Sequence, residues 1–186
     1  MRIISGKYKN KLILSEIKKA KFKYRPTSSK VRAAIFNIIT HSFFPTLDDV
    51  IFADICCGSG SFGLEALSRS AKKVYFIDNQ HIQIELVKKN LHNFNESRNN
   101  TVLLSEASKL PRITDICNMI FIDPPYDMKG IEKILDSLIT SNWIDTHSII
   151  CVELSKKVDL AISDKWNVID QRIYGNTKLI FLSIKE

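Results

Sequence analysis

From Val50 onward, short apolar runs alternate with stretches in which apolar residues recur every three or four positions. The runs fall at 50–54, 73–77, 101–105, 118–122 and 147–153, and the helical periods near 61–69, 80–93 and 128–140. Strand followed by helix, repeated, predicts a doubly wound α/β sheet with parallel strands. The end of the chain breaks this rhythm. "WNVIDQRIYGNTKLIFLSI" reads as two strands, about 166–173 and 177–184, joined through Gly175-Asn176. A terminal hairpin brings the count to seven strands and places one antiparallel strand on an otherwise parallel sheet.

Before Val50 the pattern is different. Arg2 to Ser5 and Lys11 to Leu14 read as short strands, with Gly6 and Asn10 as turn residues that tolerate positive φ. Pro26 then breaks the chain, Thr27 or Ser28 caps, and Val31, Ile35, Ile38 and Ile39 give helical spacing over about 28–41. The expected organisation is an extension over 1–41, made of a small β-hairpin and a helix, followed by one domain over 42–186. A 186-residue chain with 45% hydrophobic residues has ample material for one core. No charged stub with an apolar run opens it, and no run approaches the roughly 18 apolar residues of a membrane span, so a soluble, cytoplasmic protein is expected. A monomer is the expected state.

Charge sharpens the division. Residues 1–32 hold 11 of the 27 Lys and Arg against one acid, Glu16, a net +10 that leaves −3 for the rest of the chain. A strongly basic end on a mildly acidic body fits a phosphate-rich partner, with Tyr8, Phe22 and Tyr24 interleaved as stacking surfaces. Arg2, Lys7, Lys9, Lys11, Arg25 and Arg32 are the candidates for phosphate contact, and thus for RNA binding if the partner is RNA. A solvated lysine-rich tail is the plainer reading. Cys56, Cys57, Cys117 and Cys151 show no C-x-x-C spacing and no ligand pattern with the four histidines. Free thiols filling apolar space, and no metal, are expected.

The chemistry concentrates at two strand ends. "FADICCGSGSFGLEAL" runs from a strand through Gly58, Ser59, Gly60 and Gly63 into a helix, with Asp78-Asn79 closing the next strand. This G-x-G-x-x-G spacing and following acid suit a nucleotide-type cofactor, the acid accepting from ribose hydroxyls. A dinucleotide would set its pyrophosphate on the helix N-terminus. S-adenosylmethionine instead carries a sulfonium and an ammonium, and Asp54, four residues before Gly58, favours the cation. Glu106 and Ala107, after the third strand, fall where an adenine edge would lie.

The second strand end is "MIFIDPPYD". If its strand neighbours 50–54, Asp123 emerges beside the cofactor's reactive end. An exocyclic base amine is a poor nucleophile because its lone pair is delocalised. Two acceptors aimed at its hydrogens, the Asp123 carboxylate and the Pro124 carbonyl, would draw it toward tetrahedral geometry. Consecutive prolines fix φ and remove donors, which preorganises such a loop. Tyr126 offers a ring for a base taken out of its stack. Alone, the tetrapeptide also reads as an Asx-Pro turn ending a buried strand.

These segments together resemble the RsmD-type 16S ribosomal RNA guanine-N2 methyltransferases. The resemblance rests on "RIISG", "RPTSSKVRAAIFNII", "DICCGSGSFGLEALSRSA", "FIDPPY" and "YGNTKLIFL" and covers nearly the whole chain. It departs from the family pattern at Asn10, Ala33 and Cys56-Cys57. The resemblance implies a Rossmann-like class I methyltransferase sheet with a small N-terminal hairpin. It also implies S-adenosylmethionine as donor, S-adenosylhomocysteine as product, and a guanine in small-subunit RNA, in an assembled or assembling particle, as acceptor. By position, Asp123, Pro124 and Tyr126 would handle the amine, and Asp54, Gly58, Gly60 and Asp78 the cofactor. Rival expectations are another amine acceptor (adenine N6, cytosine N4 or a protein glutamine), an NAD-dependent oxidoreductase, and an RNA-binding module without catalysis.

Overall fold

The computed structural model describes residues 1–15, 28–124 and 130–185. Arg25, Phe22, Tyr24 and Tyr126 lie outside the described residues. The main body alternates as the sequence pattern predicts: β1 (Ile51–Ile55), α2 (Ser61–Ser68), β2 (Lys73–Asp78), α3 (His81–Asn93), β3 (Asn100–Leu104), β4 (Met119–Ile122), α4 (Ile131–Thr140) and β5 (Ile149–Ser155). A hairpin of β6 (Trp166–Tyr174) and β7 (Thr177–Ile184) closes the chain, and α1 (Ser29–Ile38) precedes β1.

The seven strands lie in the order β3-β2-β1-β4-β5-β7-β6. β1 to β5 pair in parallel, and β7 runs antiparallel to both β5 and β6. The chain therefore winds outward from β1 in one direction, returns, and continues from β4 in the other. The topological switch falls between β1 and β4, where such sheets place their ligands.

Strand periodicity sorts the core into two layers. Phe52, Phe76 and Phe121 face α1, α2 and α3, and Phe62 of α2 stacks on Phe121 with ring centroids 4.0 Å apart. Ile55, Ile77, Ile120 and Ile122 face the opposite way, toward Ile134 and Leu138 of α4 and the buried Trp143. Among the described residues, no helix is long and apolar enough to cross a membrane.

The N-terminal segment departs from the expected pair of strands. A single antiparallel bridge, Arg2 with Leu12, joins its two arms, supported by Ile3 N–H to Lys11 O and Ile13 N–H to Met1 O. Gly6 and Asn10 do take positive φ, at 83° and 68°. The ladder is short because the intervening amides bond elsewhere: Ile4 and Ser5 donate to the Glu65 carboxylate, Lys7 to Ser68 O and Tyr8 to Ser68 Oγ. A Cβ on Gly6 would lie 1.8 Å from Ser68 O, so only glycine permits this approach. The helix expected over 28–41 is capped by Ser28 Oγ, which accepts from Val31 N–H, and its last turn widens into a π turn at Ile39–Phe43.

Candidate active site at the sheet switch point

β1 ends in a sharp turn. Cys56 takes φ 59°, a left-handed conformation that costs a non-glycine residue energy, and Gly58 and Gly60 follow at 52° and 74°. The turn is bonded to the sheet beneath it and to α3 beside it. Cys57 N–H donates to Ile77 O and Gly58 N–H to Asp78 Oδ2 at 3.0 Å. Gly63 N–H donates to Asp54 Oδ2 at 2.9 Å, and Asn90 Nδ2 donates to Ser59 O at 3.0 Å. A Cβ on Gly63 would meet the Phe76 ring at 2.4 Å, so that glycine lets α2 pack against β2.

The two acids of the sequence reading thus first serve as braces. Asp78 accepts from Gly58 N–H through one oxygen and from Gln80 N–H through the other at 2.9 Å, with the Asn79 backbone adding a further bond. Burial raises its pKa, against the backbone bonds that lower it. Asp54 is 2% exposed, and burial pushes its carboxyl up to about 8, with Asp78 adding repulsion.

β4 delivers the third acid. Ile122 pairs with Ile55, and Asp123 N–H donates to Ile55 O at 3.2 Å, which sets Asp123 directly across from the Cys56 turn. Burial raises the Cys56 thiol to about 12, and the charges of Asp78, Asp123 and Asp54 add to that. Three carboxylates therefore gather round one turn. An anionic pyrophosphate would meet repulsion here, and a ligand with a sulfonium and an ammonium would meet complementary charge, its ammonium drawing Asp54 into the ionised form. Pro124 is buried beside Asp123. Ser105 N–H donates to Asp78 O, which brings Glu106 and the buried Ala107 to the same rim as the exposed Asn79.

Arg32 requires a correction. Read as a phosphate contact, it is fully buried, with Nη2 donating to Arg2 O at 2.6 Å, Nη1 to Met1 Sδ, and Nε 3.6 Å from Glu65 Oε2. It sits on the inward face of α1 with Val31, Ile35 and Phe36, where helical period outweighs its charge. The other basic candidates among the described residues, Arg2, Lys7, Lys9 and Lys11, are exposed. Lys11 lies over the Tyr8 and Phe94 rings, Lys7 pairs with Glu96 and Arg2 donates to Asn10 O. Tyr8 stacks on Phe94 and donates to Glu96, so this ring is engaged within the protein. The sequence reading passed over Glu65, Ser68 and Asn90. Their signal is a polar residue in step with buried apolar neighbours on α2 and α3.

This strand order, five parallel strands with β7 antiparallel beside β5, is that of the class I methyltransferases. The protein yhhF of Escherichia coli shares the fold with a TM-score of 0.81 at 24% identity, covering 100% of this chain and 98% of that one. Residues 1–183 match the family model described as conserved hypothetical protein 95, and the chain belongs to that family, the RsmD-type methyltransferases. Ribosomal RNA small subunit methyltransferase D of Haemophilus influenzae is 30% identical to it over 155 residues, spanning 81% of this chain and 78% of that protein. The protein of the same name from Escherichia coli K12 is 28% identical over 152 residues, spanning 81% and 75%.

Proposed function

We propose that this methyltransferase transfers a methyl group from S-adenosylmethionine to the exocyclic N2 amine of a guanine in 16S ribosomal RNA, within an assembled or assembling small subunit. The observation that carries the reading is the set of three carboxylates, Asp54, Asp78 and Asp123, around the turn after β1. The names of the relatives support ribosomal RNA as the substrate.

S-adenosylmethionine supplies an electrophilic methyl on a sulfonium. Asp54 offers negative charge to its ammonium, Asp78 and Asn79 face the ribose, and Glu106 and Ala107 border the adenine. The backbone at Gly58, Ser59 and Gly60 lines the ligand's approach, while Gly63 seats α2 against β2 and so holds the turn in place. Asp123 accepts from one amine hydrogen of guanine and the Pro124 carbonyl from the other, which localises the nitrogen lone pair. Tyr126 supplies a ring for the extracted base. Rate then comes from alignment and from acceptors fixed in place before the reaction.

The exposed Lys9 and Lys11, with Arg2, Lys7 and Arg25, hold RNA phosphates, which position the substrate while the pocket selects the base. Labelled S-adenosylmethionine with undermethylated small subunits, followed by nucleoside analysis, tests the reading. N2-methylguanosine is expected. Label in adenine, cytosine or protein would replace the acceptor.

A further inference from the structure

Asn90 stands out as a polar residue with no place in the chemistry just described. It lies on the inward face of α3, 0% exposed, where Ile84, Val87 and Leu91 make the apolar contacts. A mid-helix asparagine is a poor helix former, and a buried amide is costly unless each of its groups is bonded. Here each is. Oδ1 accepts from Leu14 N–H at 2.8 Å, and Nδ2 donates to Leu14 O and to Ser59 O, both at 3.0 Å. The assignment of oxygen and nitrogen follows from these partners, because the reverse would turn the NH₂ group onto an N–H and the oxygen onto two carbonyls.

The two partners belong to different parts of the molecule. Leu14 lies on the second arm of the basic N-terminal segment, and Ser59 sits between the glycines of the turn that frames the cofactor site. One side chain therefore bonds both, replacing a strand partner for Leu14 and fixing a carbonyl in the turn. The segment's other anchors reach Glu65 and Ser68 of α2, Arg32 of α1, and Phe94 and Glu96 just beyond α3, and none of those contacts touches the turn itself.

We propose that Asn90 is a positioning residue that couples the two ligands: cofactor seated on the glycine turn steadies Ser59 O and, through Asn90, the bonds to Leu14, which presents the basic segment to RNA. The coupling rests on the functional reading above, in which that segment grips RNA. Linkage then requires reciprocity: the cofactor product tightens RNA by the same factor as RNA tightens the product.

The test uses the full chain, S-adenosylhomocysteine and undermethylated small subunits. S-adenosylhomocysteine is expected to raise affinity for the subunits about fivefold or more, with an equal reciprocal factor. Asn90→Ala is expected to bring that factor close to one. A second readout needs no substitution. The Leu14 amide proton reports its bond to Asn90 directly, and its hydrogen exchange is expected to slow when S-adenosylhomocysteine saturates the wild-type protein. Independent binding of the two ligands, unchanged Leu14 exchange, or full coupling in Asn90→Ala would each overturn the proposal. Wild-type protein that binds S-adenosylhomocysteine but no subunit would instead sink the RNA reading, and the coupling with it.

Discussion

The turn after β1 and the segment before α1 are both irregular backbone, yet they meet their hydrogen-bonding needs in opposite ways. In the turn, backbone amides point down at acids already fixed on strand ends: Gly63 to Asp54 and Gly58 to Asp78. In the segment, helix side chains reach out to a backbone that lacks a ladder, Glu65 to Ile4 and Ser5, Ser68 to Tyr8, and Asn90 to Leu14. Buried backbone groups must be paired somewhere. A chain that supplies acids at strand ends builds a charged ligand site. One that supplies polar residues on buried helix faces builds a dock for another segment.

The largest expected effect falls on the strand-end side. Asp123→Ala removes one of two acceptors for the amine and should lower kcat by about 10²- to 10³-fold, with S-adenosylhomocysteine affinity unchanged in calorimetry. Full methylation by this variant would misplace the reactive centre. On the docking side the strongest blow is Glu65→Leu. It leaves the buried Arg32 without its counter-charge and strips Ile4, Ser5 and Arg69 of an acceptor, at a cost of about 3 to 4 kcal/mol in denaturant unfolding. Arg32→Met should cost less, because Glu65 keeps its two backbone donors and Arg69. Equal losses in the two variants would mean that the ion pair itself holds the dock.

This difference in construction also explains what was legible in the sequence. Strand and helix periods placed β1 to β7 within a few residues, because the central strands alternate between two apolar layers and the edge strands still carry short apolar runs. The acids and glycines were visible because motif spacing along one chain reports a strand-turn-helix unit. The docked segment left no such trace. Its partners on α2 and α3 lie some 60 to 76 residues away, and no local period links Ile4 to Glu65 or Leu14 to Asn90. Arg32 misled for a related reason. Its charge belongs to the basic stretch, but its position belongs to the inward face of α1, and a net-charge argument cannot see a face.

Titration separates the regions more finely. Asp54 has a carboxyl raised from 3.8 to about 8 by burial. Between those values the folded protein holds a proton that the unfolded chain releases, so this group makes stability fall as pH rises, with no further change above about 8. An ammonium beside Asp54 favours the ionised form, and binding then expels the proton. Affinity for S-adenosylhomocysteine should therefore climb with pH below that limit, by up to about tenfold per unit. Asp54→Asn should flatten the profile. A slope that survives this substitution would assign the proton to another group, with Asp78, also raised by burial, the first to examine.

The smallest effect tests the division among the basic residues. An exposed lysine on a phosphate releases about one counterion, so Lys9→Gln or Lys11→Gln should each reduce the slope of log affinity against log salt by about one on undermethylated subunits. Arg32 carries the same formal charge but is sealed under the segment, with its nitrogens turned toward Arg2 O, Met1 and Glu65. Arg32→Met should leave the salt slope as it is while lowering stability. If its slope falls as the lysine variants' does, the guanidinium reaches RNA and the segment must open to release it. If only the lysines act, charge in this protein works on RNA from the surface and on the fold from within.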